Sequence, residues 1–315
     1  PLGTQGNLFG ITGGEGTGKS NYVAAIVAGC ICPAGEDIDT LGIQITANGR
    51  HKAVLLYDTE QSEVQLFKNV SNLLARAKQP DKPDELKAFC LTGMSRKERL
   101  NAIVQSMDKF YYQYGGIQLV VIDGIADLVK SANDEAESVA VIDELYRLAG
   151  IYNTCILCVL HFVPNGLKLR GHLGSELQRK AATILSIEKD EEPTQSVVKA
   201  LKVRDGSPLD VPLMLFAWDK EAGMHVYKGE KPREEKEKRK ERELVNVARD
   251  IFERQTRITY IDLCEQLQQV LDIKERTAKS YIRFMRERDI ITKDTANQSC
   301  FVIGSYHLQR NASCP

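Results

Sequence analysis

The sequence predicts an α/β domain on a predominantly parallel sheet, followed by a small domain of three helices and a β-hairpin. Three observations lead there. Between residues 7 and 228, short apolar runs recur with no polar alternation, as suits strands covered on both faces. Helical stretches separate those runs, the alternation of an α/β domain. A densely charged tract at 229–243 then gives way to a segment of different texture, 244–315.

In chain order, strands are expected at 8–12, 53–57, 119–122, 154–160, 183–188 and 197–203, and helices at 21–31, 63–77, 96–111 and 137–151. In the tract 229–243, thirteen of fifteen residues are charged, seven basic and six acidic. It has no apolar face and is expected to be a linker or the solvated start of the next helix. Helices at 244–255, 260–271 and 274–288 follow. In the last, Ala278, Tyr281, Ile282 and Met285 share one face by helical spacing. A strand at 290–293, a polar turn around Asn297 and Gln298, and a strand at 300–303 complete the pattern of a winged helix. The opposite face of the 274–288 helix carries Arg276, Lys279, Ser280 and Arg283, suited to a DNA groove and its phosphates. Residues 244–315 hold 11 basic and 9 acidic side chains, a balance of only +2, so a protein-docking role stays open.

Composition excludes several classes. With 43% hydrophobic residues the chain can bury a core and is not globally disordered. Runs such as 117–122 and 154–160 fall far short of the roughly 20 apolar residues a membrane helix needs. No basic and apolar leader pattern opens the chain, so a cytoplasmic location is expected. The first residue is Pro1 and not Met, which leads us to expect a piece of a longer protein. With 42 basic and 43 acidic side chains, the net charge of −1 neither favours nor excludes nucleic acid. Eight cysteines are too few for a disulfide scaffold. Cys155 and Cys158 form a CxxC, but both stand in a buried apolar run and are expected to be small core residues and not metal ligands.

One motif carries chemistry. Gly13-Gly14-Glu15-Gly16-Thr17-Gly18-Lys19-Ser20 fits G-x-x-x-x-G-K-S between an apolar strand and a helix that opens at Asn21. Glycines let backbone N–H groups curl around phosphates, and the helix N-terminus adds partial positive charge. Lys19 is expected on the β- and γ-phosphates of ATP, and the Ser20 hydroxyl on Mg²⁺. Leu119-Val120-Val121-Ile122-Asp123 supplies a strand ending in a carboxylate, the expected second anchor for the ion. Gly124 follows it, so the Asp-Glu pair of many ATPases is missing. Glu60, just beyond the 53–57 strand, is the candidate base that activates water, with Asp58 as competitor and a helix cap as the structural alternative.

Residues 7–228 resemble the RecA-type ATPases of the RepA and DnaB hexameric helicase group. They are especially similar to RepA-like ATPases of plasmids, phages and mobile elements. The resemblance rests on GGEGTGKS, LLYDTEQS, LVVIDG, the strand-end His161 of VLHF, and LRGHLGSEL. It implies a RecA-like core in which His161 senses the γ-phosphate and relays to DNA-binding loops. It implies that 162–172, with Lys168 and Arg170, faces single-stranded DNA in a ring channel. Lys202-Val203-Arg204-Asp205-Gly206 resembles the K-x-R-x-G segment whose Lys and Arg reach a neighbour's γ-phosphate, so Lys202 and Arg204 would act in trans in a homo-oligomer, a hexamer by family. Arg170 is a rival for that role, and ordinary strand-end charges are the structural alternative. The winged helix is no part of that core, and suggests a motor joined to a module that docks duplex DNA or a partner. The resulting expectation is a Mg-ATP-driven DNA helicase or translocase. The alternatives are a RecA-like loader that does not unwind, and an ATP-switched DNA-binding regulator.

Overall fold

In a computed structural model describing residues 1–161, 171–190, 192–232, 236–295 and 297–306, the apolar runs become the strands of one sheet. These are β1 (Leu8–Gly13), β2 (Ala53–Asp58), β3 (Leu86–Cys90), β4 (Ile117–Asp123), β5 (Cys155–His161), β6 (Thr183–Lys189), β7 (Gln195–Val203), β8 (Leu213–Asp219) and β9 (Met224–Lys231). Their spatial order is β3-β2-β4-β5-β1-β6-β7-β8-β9. The first six in that order run parallel, and β7, β8 and β9 extend the sheet as an antiparallel meander. All six residues of β1 and of β2 are buried, because helices cover both faces.

Those helices are α1 (Lys19–Ile31), α2 (Glu63–Arg76), α3 (Arg96–Tyr114), α4 (Glu135–Ile151) and α5 (Gly171–Lys180). On one face, Tyr22 and Ile26 of α1 and Leu66 and Leu73 of α2 share a core with Ile11, Val54, Leu56 and Val121. On the other, Met107 of α3, Ile142 of α4 and Leu173 of α5 pack with Leu55, Val120 and Ile122. Local chemistry sets the helix starts. Ser62 accepts from the Gln65 amide, Ser95 and Glu98 form a reciprocal capping box, and Asp134 accepts from the Glu137 amide.

Cys155 and Cys158 sit in opposite cores, as strand alternation requires for residues three apart. The pair therefore cannot close on one ion. Burial pushes the Cys155 thiol up to about 12 and the Cys158 thiol higher still. Among the described residues no cluster of His, Cys, Asp and Glu forms a metal-binding group, and no helix is long and apolar enough to cross a membrane.

The chain divides into two compact units, Pro1–Pro232 and Arg233–Pro315. β9 runs to Lys231, and α6 (Lys236–Arg254) starts inside the charged tract, so most of 229–243 is strand end and helix start. Glu, Lys and Arg are good helix formers. The second unit continues with β10 (Ile258–Thr259), α7 (Tyr260–Leu271), α8 (Glu275–Glu287), β11 (Ile291–Lys293) and β12 (Cys300–Ile303). Its small antiparallel sheet has the order β10-β12-β11. Leu244, Ala248, Leu263, Ala278, Ile282, Met285 and Phe301 form its core, with Tyr281 packed beside them.

Candidate nucleotide site

The strand β1 ends at Gly13 and α1 begins at Lys19, leaving Gly14, Glu15, Gly16, Thr17 and Gly18 to make the turn. Gly18 caps α1 at φ 90°, and a Cβ there would lie 2.8 Å from Phe216 Cε2, so glycine is required on both counts. Thr17 Oγ1 donates to the Gly14 carbonyl at 3.0 Å. The buried Lys19 ammonium donates to the Gly13 carbonyl at 3.0 Å and the Gly14 carbonyl at 2.5 Å. Burial lowers its pKa, opposed by the charges of Asp123, Glu60 and Glu15. Backbone N–H groups at the first turn of α1 give the bend an anion-binding character, and Ser20 and Asn21 lie on the same wall.

Two carboxylates stand side by side at the ends of adjacent strands, and one of them, Asp123, meets this loop. Asp58 at the end of β2 is in register with Asp123 at the end of β4. Asp58 is buried and its Oδ1 accepts from the Glu60 and Gln61 amides at 3.0 and 2.9 Å. That use as a turn anchor separates it from its competitor, because the Glu60 side chain lines the cleft. Thr59 Oγ1 donates to the carbonyls of Asp123 and Gly124 at 3.0 and 2.8 Å, tying the two strand ends together. Asp123 is pushed up to about 7, first by its withdrawal from water and then by the charges of Asp58 and Glu60.

His161 ends β5, in register with Gly13. Its Nε2 lies 3.3 Å from Glu60 Oε2. Together with Lys19, Ser20, Asp123 and His225, these two side chains line a cleft of about 370 Å³. The donors Ser20 and Asp123 are hard oxygens, and a dication offsets both the burial and the neighbouring carboxylate charges that push Asp123 up to about 7. The residues present therefore fit Mg²⁺ carried by nucleotide phosphates.

A sequence model of the AAA domain matches residues 4–165, slightly more than half of the chain. The chain belongs to the AAA domain family. No curated protein matches it. Membership implies nucleotide binding and NTPase chemistry, and the loop, sheet and flanking helices above are the P-loop NTPase core that this AAA domain provides.

Lys202 and Arg204, also expected at the nucleotide, lie away from the AAA-domain cleft. Val203 pairs with Thr183 at the start of β6, whereas Gly13 pairs with Ile187 near its end, so Lys202 and Arg204 sit at the sheet edge opposite their own phosphate loop. Lys202 Nζ donates to the carbonyls of Gln178 and Arg179 at 2.6 and 3.1 Å, and Arg204 Nη2 to that of Lys180 at 2.8 Å, capping the C-terminus of α5. Lys168 and Arg170 lie outside the described residues. Arg276, Lys279 and Arg283 are exposed on α8, and Lys279 and Arg283 are paired within the helix to Glu275 and Glu287 at 2.7 and 2.8 Å. A groove of about 570 Å³ in that unit adds Arg286 and Lys293, which sequence reasoning missed. It also missed Gln61 and His225 in the cleft. Gln61 was legible beside Glu60, while His225 arrives only through the pairing of β8 with β9.

Proposed function

We propose that the chain is a Mg-ATP-hydrolysing motor, a ring-forming DNA helicase or translocase of a mobile element, plasmid or phage. The observation that carries this reading is the 3.3 Å contact between Glu60 and His161. It joins the candidate base to the residue that opens 162–170, where Lys168 and Arg170 are proposed to meet single-stranded DNA.

In this mechanism the loop amides and Lys19 hold the β- and γ-phosphates. Glu60 accepts the proton of a water whose oxygen attacks the γ-phosphorus as the bond to the bridging oxygen of the departing ADP breaks. Ser20 and Asp123 would hold Mg²⁺, which supplies charge neutralisation on the phosphates when bound. Lys202 and Arg204 have no route to their own cleft from the opposite sheet edge, which supports their acting on the nucleotide of an adjoining copy, in a hexameric ring. The helix, strand, helix, helix and hairpin order of the second unit supports a winged helix, with Arg276, Lys279 and Arg283 of α8 toward duplex DNA.

The test is forked DNA incubated with the full chain and Mg-ATP. The motor reading expects strand separation by the wild type and none by Lys19→Ala. DNA-stimulated hydrolysis without separation supports a loader, and hydrolysis indifferent to DNA supports an ATP-switched regulator.

A further inference from the structure

An aromatic series runs from beneath the phosphate loop to solvent. Tyr22, on the first turns of α1, has its ring centroid 5.9 Å from Phe216. Phe216 is 5.6 Å from His225, and His225 is 5.5 Å from Trp218. Tyr22 and Phe216 are fully buried, whereas Trp218 is 54% exposed. Trp218 on β8 and His225 on β9 are direct cross-strand partners, so their rings share one face of the sheet.

The two inner members of this series meet the phosphate-loop side of the fold. Phe216 stands against Gly18, the cap of α1. His225 lines the cleft with Lys19 and Ser20. The backbone beneath His225 is held by Arg76, whose Nη2 donates to the His225 carbonyl at 2.5 Å and whose Nη1 donates to the Asp39 carbonyl at 2.7 Å. The His225 Nδ1 is buried without a hydrogen-bond partner, so the remainder of the ring is what the cleft meets. Burial, with Arg76 and Lys189, lowers the pKa of this imidazole and keeps the ring neutral. A neutral aromatic wall beside an anion-binding loop matches a ligand with a flat heterocycle at one end and phosphates at the other.

We propose that Trp218 and His225 form the nucleobase platform of the cleft, stacking the purine of the nucleotide whose phosphates the loop holds. This deepens the nucleotide reading and rests on it. Phosphate contacts alone do not distinguish ATP from tripolyphosphate; the platform supplies that distinction.

Trp218 is the sole tryptophan of the chain, so its emission reports on the platform directly. The experiment titrates the full chain, with Mg²⁺, against ATP and against tripolyphosphate, following Trp218 fluorescence and calorimetric heat together. ATP is expected to change the emission and tripolyphosphate to bind without changing it. Trp218→Leu is expected to weaken ATP by about tenfold and leave tripolyphosphate unaltered, with Trp218→Phe recovering most of the loss because a stackable ring returns. Equal effects of Trp218→Leu on the two ligands, or ATP heat with unchanged emission, overturn the platform alone. Emission that responds to single-stranded DNA and not to bound ATP overturns it in favour of a DNA contact. No heat from either ligand removes the nucleotide reading itself, and the platform with it.

Discussion

The side chain of Glu60, with Thr59 Oγ1 beside it, occupies the space that a Cβ on Gly124 would need: such an atom would fall 2.7 Å from Glu60 Cγ and 3.0 Å from Cδ, and closer still to Thr59 Oγ1. Gly124 also sits at φ 98°, where a side chain is strained. The missing acid after Asp123 thus has a physical counterpart. The strand that ends at Asp123 keeps a glycine so that a carboxylate from the neighbouring strand can enter. Gly124→Ala is expected to lower kcat by about tenfold or more while nucleotide affinity stays close to wild type. In a Glu60→Ala background the same change should cost less further activity than it does alone, the remainder coming from Thr59 Oγ1 and the strained backbone at Gly124. Additive losses measured by steady-state phosphate release would separate Gly124 from Glu60.

Removing the carboxylate charge without its shape isolates the base. Glu60→Gln should bind Mg-ATP and release no phosphate, because an amide accepts no proton from the attacking water. Turnover at the wild-type rate in a phosphate-release assay would move the base elsewhere.

Asp123 predicts a pH dependence of stability. Its carboxyl is raised from 3.8 to about 7 in the folded chain. Between those values the folded state keeps a proton that the unfolded chain has released, so this group's contribution falls as pH rises from about 4 to about 7 and is fully lost above. Asp123→Asn removes the titration. Its Tm should exceed that of the wild type at pH 8 and match it at pH 4. A difference of the same size at both pH values in thermal unfolding would contradict the assignment.

In the second unit, Arg286 and Lys293 stand over the Phe301 ring at 6.0 and 4.4 Å, while Arg283 is paired with Glu287. If duplex DNA docks there, Arg286→Gln with Lys293→Gln should weaken binding across sequences and lower the salt dependence by roughly two counterions. Arg283→Gln should do less, since its charge is already partly neutralised. Unchanged affinity in a salt titration by anisotropy would favour a protein partner.

Much of this site can be read from residues that are close in sequence. The strand, glycine turn and helix around Lys19 form one local unit, and the long apolar run before Asp123 specifies a buried strand with a polar end. Less legible were β3, β8, β9 and α5. β3 is a half-buried edge strand interrupted by Lys87, and β9 mixes Lys228, Glu230 and Lys231 with its apolar residues, so neither has the continuous apolar signature of the interior strands. α5 carries Gly171 and Gly174, poor helix formers, and is held by Leu173 and Leu177 in the core. The entry of Glu60 over Gly124 and the arrival of His225 beside the loop depend on strand order and hairpin pairing, which no local pattern encodes.

Hydrolysis at the Lys19 loop, completed by a neighbouring copy, can be probed by mixing two disabled chains. Lys19→Ala lacks a working loop but keeps Arg204; Arg204→Ala keeps the loop but lacks the arginine. Each is predicted to release little phosphate alone, and an equimolar mixture to recover a substantial fraction of wild-type turnover, as intact loops receive Arg204 from adjoining Lys19→Ala copies. A mixture as inactive as its parents, or wild-type turnover by Arg204→Ala alone, would contradict the claim.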